Sequence, residues 1–155
     1  MMSLNDLISP QAVIPALKAN SKKQALIEIS EKAATLSGLD SREVLDALIQ
    51  RERLGSTGIG GGIAIPHGKL AKCTRIFGVF ARLEKPIDFE ALDDAPVDLM
   101  FLLIAPENAG ADHLNALSRA ARVLRDQSLV ATLRSTRDPS AIYSILVRSP
   151  TPNAA

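Results

Sequence analysis

The stretch Val97–Ala105, VDLMFLLIA, is apolar almost without a break. A strand with one face in water alternates apolar and polar residues. A run this continuous suits a central strand covered on both faces, and so a sheet with helices packed against it. Hydrophobic residues make up 46% of the 155 residues, enough for a single core. With one tyrosine, no tryptophan and four phenylalanines, that core has to be aliphatic.

The rest of the chain reads as an α/β domain around that strand. Val13–Leu17 is a short strand, and Pro15 points to an edge position. A helix follows, opened by Ser21 as N-cap, with Leu26, Ile29, Ala33 and Leu36 on one face and Gly38 as its stop. Another begins after Asp40 or Ser41 and buries Val44, Leu45, Leu48 and Ile49, ending near Leu54 and Gly55. Ser56–Gly62, STGIGGG, is expected as a loop, because glycine at this density is costly in a helix. Ile63–Ile65 and Ile76–Leu83 are further strands. The turn-rich Lys85–Pro96 makes a hairpin connection into Val97–Ala105. Pro106–Asp112 is a loop into a helix whose core stripe is Leu114, Leu117, Ala121 and Leu124. Two shorter helices follow, around Ser128–Ser135 and Pro139–Val147. Residues 1–148 are expected to form one domain, and Ser149–Ala155, without apolar periodicity, a flexible tail.

Several functional classes do not fit. A net charge of +1, with scattered basic residues and no interleaved aromatics, argues against a nucleic-acid partner. The single cysteine, Cys73, excludes an internal disulfide and fits a reducing compartment. No apolar stretch approaches the roughly 20 residues of a membrane span. The N-terminus lacks the basic and long apolar regions of a secretory signal. The expectation is a cytoplasmic protein without membrane insertion.

Chemistry concentrates at GGGIAIPHGK, Gly60–Lys69, which holds one of only two histidines. The glycines match neither the Walker A loop nor the dinucleotide fingerprint, so they give no support for a nucleotide cofactor. They serve either as a flexible connection or as a backbone that must approach a partner or a phosphoryl group closely. Zinc is disfavoured by the lack of paired Cys or His ligands, and no metal site is expected. No Gly-x-Ser-x-Gly elbow accompanies a possible triad. His113, just after Asp112, falls at a helix start, where free N–H groups favour anions; the alternative is a first-turn residue beside an Asp cap. Arg51 and Arg53, at a helix end, are either solvated or a guanidinium fork for phosphate. Cys73 has no local feature that would activate it. Asp93, Asp94 and Asp98 read as a solvated turn.

At Arg51–Lys69, RERLGSTGIGGGIAIPHGK, the chain resembles the phosphorylation site of the type-2 enzyme IIA domains of the bacterial phosphoenolpyruvate-dependent phosphotransferase system. Glu52, Ile59, Gly60, Ile63, Ala64, Ile65, Pro66, His67 and Gly68 satisfy that family's pattern in order. LGSTGIG, GIAIPHGK, VDLMFLLIAP and HLNALSRAARVL are most similar to its nitrogen-regulatory branch. The resemblance runs from about Leu4 to Val147. It implies a mixed sheet flanked by helices, and a phosphoryl group accepted on Nε2 of His67. It further implies His113 as the second active-site histidine and Arg51 as the arginine beside the phosphoryl group. The implied donor is an HPr-like phosphocarrier of the nitrogen type. The implied targets are regulatory partners such as potassium transporters or sensor kinases. The alternative is a sugar-specific enzyme IIA that passes phosphate to a IIB domain for fructose- or mannitol-type uptake. Sugar-type relatives carry an acidic residue in the glycine loop, and GIGGG has none. The chain also includes no IIB or membrane domain. On this view the glycines clear space for a docking partner around His67, with Ile59, Ile63 and Leu70 as its apolar contacts and Lys69 as an added charge.

Overall fold

The computed structural model describes residues 4–148; the tail expected at 149–155 lies outside the described residues. After a 3-10 turn at Leu4–Asp6, the order is β1 (Val13–Leu17), α1 (Lys22–Ser37), α2 (Ser41–Glu52), β2 (Gly58–Gly60), β3 (Ile63–Ala64), β4 (His67–Leu70), β5 (Phe77–Ile87), β6 (Val97–Pro106), α3 (Ala111–Val123), α4 (Gln127–Ser135) and α5 (Pro139–Val147). The strands form one mixed sheet in the order β1-β5-β6-β3-β2. β4 continues along the edge of β6 beyond β3. β6 is parallel to β3 and β4 and antiparallel to β5, while β1 is parallel to β5 and β2 antiparallel to β3.

β6 carries the architecture. Leu99 through Ala105 are fully buried. Successive side chains of a strand point to opposite faces, so helices must cover both. α1 and α2 pack together and on β5 and β4; α3 packs on β6, and α5 on β1 and α4. The core is aliphatic around Phe80, Phe89 and Phe101.

The helix boundaries follow capping chemistry. Ser21 accepts from the Gln24 N–H at 3.1 Å, and Gly38 closes α1 in the left-handed conformation at φ 80°. Asp40 accepts from the Arg42 N–H at 2.9 Å and opens α2. Asp126 and Asp138 cap α4 and α5 in the same way.

Three expectations need correction. The glycine-rich segment contributes a strand, β2, rather than a loop alone, because pairing with β3 satisfies its backbone. β5 extends to Ile87, with a register irregularity after Arg82. Leu114 is 69% exposed and Leu36 also faces solvent. The buried residues of α3 are His113, Ala116, Arg119 and Ala120, with Leu124 buried just after them as expected, while Leu117 and Ala121 pack half-buried against the core.

Gly78 shows how tight the sheet is. A Cβ there would sit 2.7 Å from a ring carbon of Phe101 and 3.1 Å from the Leu102 carbonyl oxygen. Both neighbours are fully buried and cannot yield cheaply. Gly78→Ala should therefore cost about 1–3 kcal/mol through overpacking, read as a lower urea midpoint with an unchanged m-value.

Candidate functional site

His67 opens β4, immediately after Pro66, which lies in the break between β3 and β4. Proline has no N–H to give a ladder, so the strand breaks between β3 and β4. Both halves stay on β6: the Pro66 carbonyl accepts from the Leu103 N–H at 2.9 Å, and His67 stands opposite Leu103. The break leaves the Ile65 carbonyl available to the imidazole, 2.9 Å from His67 Nδ1.

The other ring nitrogen meets Arg51, whose Nε donates to His67 Nε2 at 3.1 Å. A guanidinium only donates and a carbonyl only accepts. Nε2 must therefore carry the lone pair, and Nδ1 the proton that it gives to Ile65. Burial holds the His67 pKa below the ordinary histidine value, and the Arg51 charge lowers it further; the Ile65 carbonyl and Glu52 act in the opposite direction. The ring is neutral at physiological pH and presents one nucleophilic nitrogen.

His113 lies in the first turn of α3, buried, with its ring edge-on to His67 at a centroid distance of 5.5 Å and an interplanar angle of 70°. Its pKa is lowered by burial first, then by His67 and Lys69. Its Nε2 is buried without a hydrogen-bond partner, a costly condition that a ligand atom would relieve. Gly110, rather than an Asp, occupies the N-cap of α3, with no side-chain cap. Arg51 is steadied by a bond from its guanidinium to the Gly55 carbonyl at 3.0 Å. The fold thus brings His67, Arg51 and His113 to one place, whereas Arg53 and Lys69 are solvent-exposed.

The glycines have a different role from the one expected. Gly60, Gly61 and Gly62 have φ of 101°, 67° and 83° and form the β2–β3 turn. The Gly62 carbonyl accepts from the Asp98 and Leu99 N–H groups. His67 pairs four to five residues further along β6, about 15 Å away by strand rise. The turn is clamped by Asp93, which accepts from the Gly61 N–H at 2.9 Å, and by Arg134, which donates to the Gly61 carbonyl and to Asp98. The Asp93–Asp98 segment is therefore more than a solvated turn. The glycine that matters beside the imidazole is Gly68, where a Cβ would stand 3.0 Å from that of Ala47 on α2. Ile63 is buried and unavailable for docking, while Ile59 and Leu70 are half-buried. Cys73 is buried, and its thiol, donating to the Arg75 carbonyl, is pushed up in pKa.

Residues 6–149 match the family described as "Phosphoenolpyruvate-dependent sugar phosphotransferase system, EIIA 2". The chain belongs to this family. Among curated relatives of this EIIA domain, a "Nitrogen regulatory protein" of Bradyrhizobium diazoefficiens is 60% identical over 149 residues, covering 96% of this chain and 97% of the relative. Another of that name, from Escherichia coli, is 42% identical over 94% of this chain and 90% of its own length. The crystal structure of the nitrogen regulatory protein IIA-Ntr from Neisseria meningitidis superposes with a TM-score of 0.86 at 34% identity, covering 91% of this chain and 97% of that one. Among the described residues of this EIIA chain, no helix is long and apolar enough to cross a membrane.

The depressed histidine pKa values have a thermodynamic consequence. As pH falls through the ordinary value of about 6.5, the unfolded chain takes up protons that the folded chain refuses. Stability is then flat with respect to these groups above that value and falls below it. Proton NMR should place both imidazole titrations below about 6.5, and urea unfolding should show a loss of stability on acidification that is smaller in His67→Gln.

Proposed function

We propose that the protein is a cytoplasmic phosphocarrier that accepts a phosphoryl group on His67 Nε2 from an HPr-like phosphohistidine protein, and that its phosphorylation state regulates partner proteins of nitrogen and potassium metabolism. The observation that carries the transfer step is the tautomer: the Ile65 carbonyl takes the Nδ1 proton and leaves the Nε2 lone pair facing Arg51. The names of the 60% and 42% identical relatives support the regulatory half.

In the transfer, the Nε2 lone pair attacks phosphorus while the bond from phosphorus to the donor's histidine nitrogen breaks. Nδ1 keeps its proton, so positive charge develops on the ring and is stabilised by the Ile65 carbonyl. Arg51 releases Nε2 and turns its N–H groups to the phosphoryl oxygens, where a guanidinium fork suits the geometry. His113, through its unpartnered Nε2 and the start of α3, offers a second donor. Little covalent work is left to the protein, and catalysis is mainly positioning and charge stabilisation.

Incubation with phosphoenolpyruvate, enzyme I and the carrier should add one acid-labile phosphoryl group by intact mass. His67→Ala should take none; acceptance by that variant would overturn the assignment. Arg51→Ala and His113→Ala should fold normally by circular dichroism yet accept phosphate about 10²–10³ times more slowly. Affinity capture with wild type and His67→Ala should recover different regulatory proteins. Transfer of the label to a fructose- or mannitol-type IIB domain, with loss of growth on that sugar in a deletion strain, would place the protein in transport instead.

A further inference from the structure

Glu52 is a charged residue that neither faces solvent nor touches the imidazole. Its side chain is only 6% exposed, and its carboxylate accepts from three groups. Lys22 reaches Oε1 at 2.9 Å, the Thr57 backbone N–H reaches the same oxygen at 3.1 Å, and the Thr57 hydroxyl donates to Oε2. Burying a carboxylate is costly unless such partners compensate it, and a surface residue could cap this helix end without that cost.

Thr57, itself buried, passes the constraint on. Its carbonyl accepts from the Ile65 N–H at 3.0 Å, and the Ile65 carbonyl takes the His67 Nδ1 proton. The chain of contacts runs from Glu52 through Thr57 and Ile65 to the ring. On its other side Glu52 adjoins Arg51, whose Nε meets His67 Nε2. Among the described residues Arg51 pairs with no carboxylate, because Lys22 and Thr57 occupy the neighbouring one.

We infer that Glu52, acting with Lys22 and Thr57, is the positioning residue that fixes the His67 tautomer and keeps the Arg51 guanidinium free for the phosphoryl group. It holds both partners of the imidazole at once, the carbonyl on Nδ1 through Thr57 and the arginine on Nε2 through the end of α2. The inference rests on the carrier function proposed above for its effect on rate, but not for its effect on the ring.

Two near-isosteric variants test it, Glu52→Gln and Thr57→Val. The first removes the nearer of the two charges on Lys22, which also meets Glu90 at 3.3 Å, and the second removes only the hydroxyl contact. Nitrogen-15 NMR of labelled histidine should show wild-type His67 protonated at Nδ1 alone, with an Nε2-protonated fraction emerging in both variants. The maximal rate of phosphoryl acceptance should fall by about tenfold to 10²-fold, with little change in the concentration of carrier giving half-maximal rate. A purely structural role would lower thermal stability without moving the tautomer ratio or that rate in the folded protein. Wild-type tautomer and rate in folded Thr57→Val and Glu52→Gln would overturn the proposal. If wild-type protein accepts no phosphoryl group, the carrier function fails, and the tautomer comparison still decides the role of Glu52.

Discussion

Both halves of the imidazole's setting depend on β6. Its apolar run is paired on one side by β5 and on the other by β3 and β4 in succession. Because β3 and β4 share one edge, Pro66 can interrupt the ladder between them without leaving a backbone donor unpaired. That interruption turns the Ile65 carbonyl to the histidine ring. β6 then runs out at Pro106, and a short connection leads into α3, whose first turn carries His113. A second strand boundary and a helix start are thus brought together by one strand.

Much of this was legible in the sequence. The VDLMFLLIA run named the central strand, Ser21, Gly38 and Asp40 marked helix ends, and the motif spacing from Glu52 to Gly68 pointed to the candidate site through family resemblance. The errors have a common physical origin. Leu114 and Leu36 lie near helix ends, where periodicity alone does not say which apolar residues meet the sheet. In α3 the buried positions are held by His113, Ala116, Arg119 and Ala120, two of them polar, so an apolar stripe alone does not mark that face. Gly60–Gly62 looked like clearance for a partner because it precedes His67 in sequence. The strand between them carries the turn about 15 Å from the ring. The clamp on that turn comes from Asp93, Asp98 and Arg134, residues distant in sequence whose convergence no local pattern announces. Thr57 was missed for the same reason: its partners lie on α2 and beside β3.

The charges around His67 are arranged by compensation. A carboxylate beside an arginine would normally pair with it, and such a pair would leave little positive potential for an incoming phosphoryl group. Here Glu52 is satisfied from the other side by Lys22 and Thr57, so Arg51 bonds only neutral acceptors, an imidazole nitrogen and the Gly55 carbonyl. Burial depresses the His67 pKa, and the Arg51 charge adds to it, so that the ring stays unprotonated. In the proposed transfer the ring would gain a group of about −2 charge, and the same guanidinium would become its counter-ion. One cation can serve both states because it is committed to neither. A partner docking on this surface would meet a half-buried neutral ring in one state and a phosphoryl group in the other. On the proposed reading the discrimination would come from a change at one nitrogen, within a fold that need not rearrange.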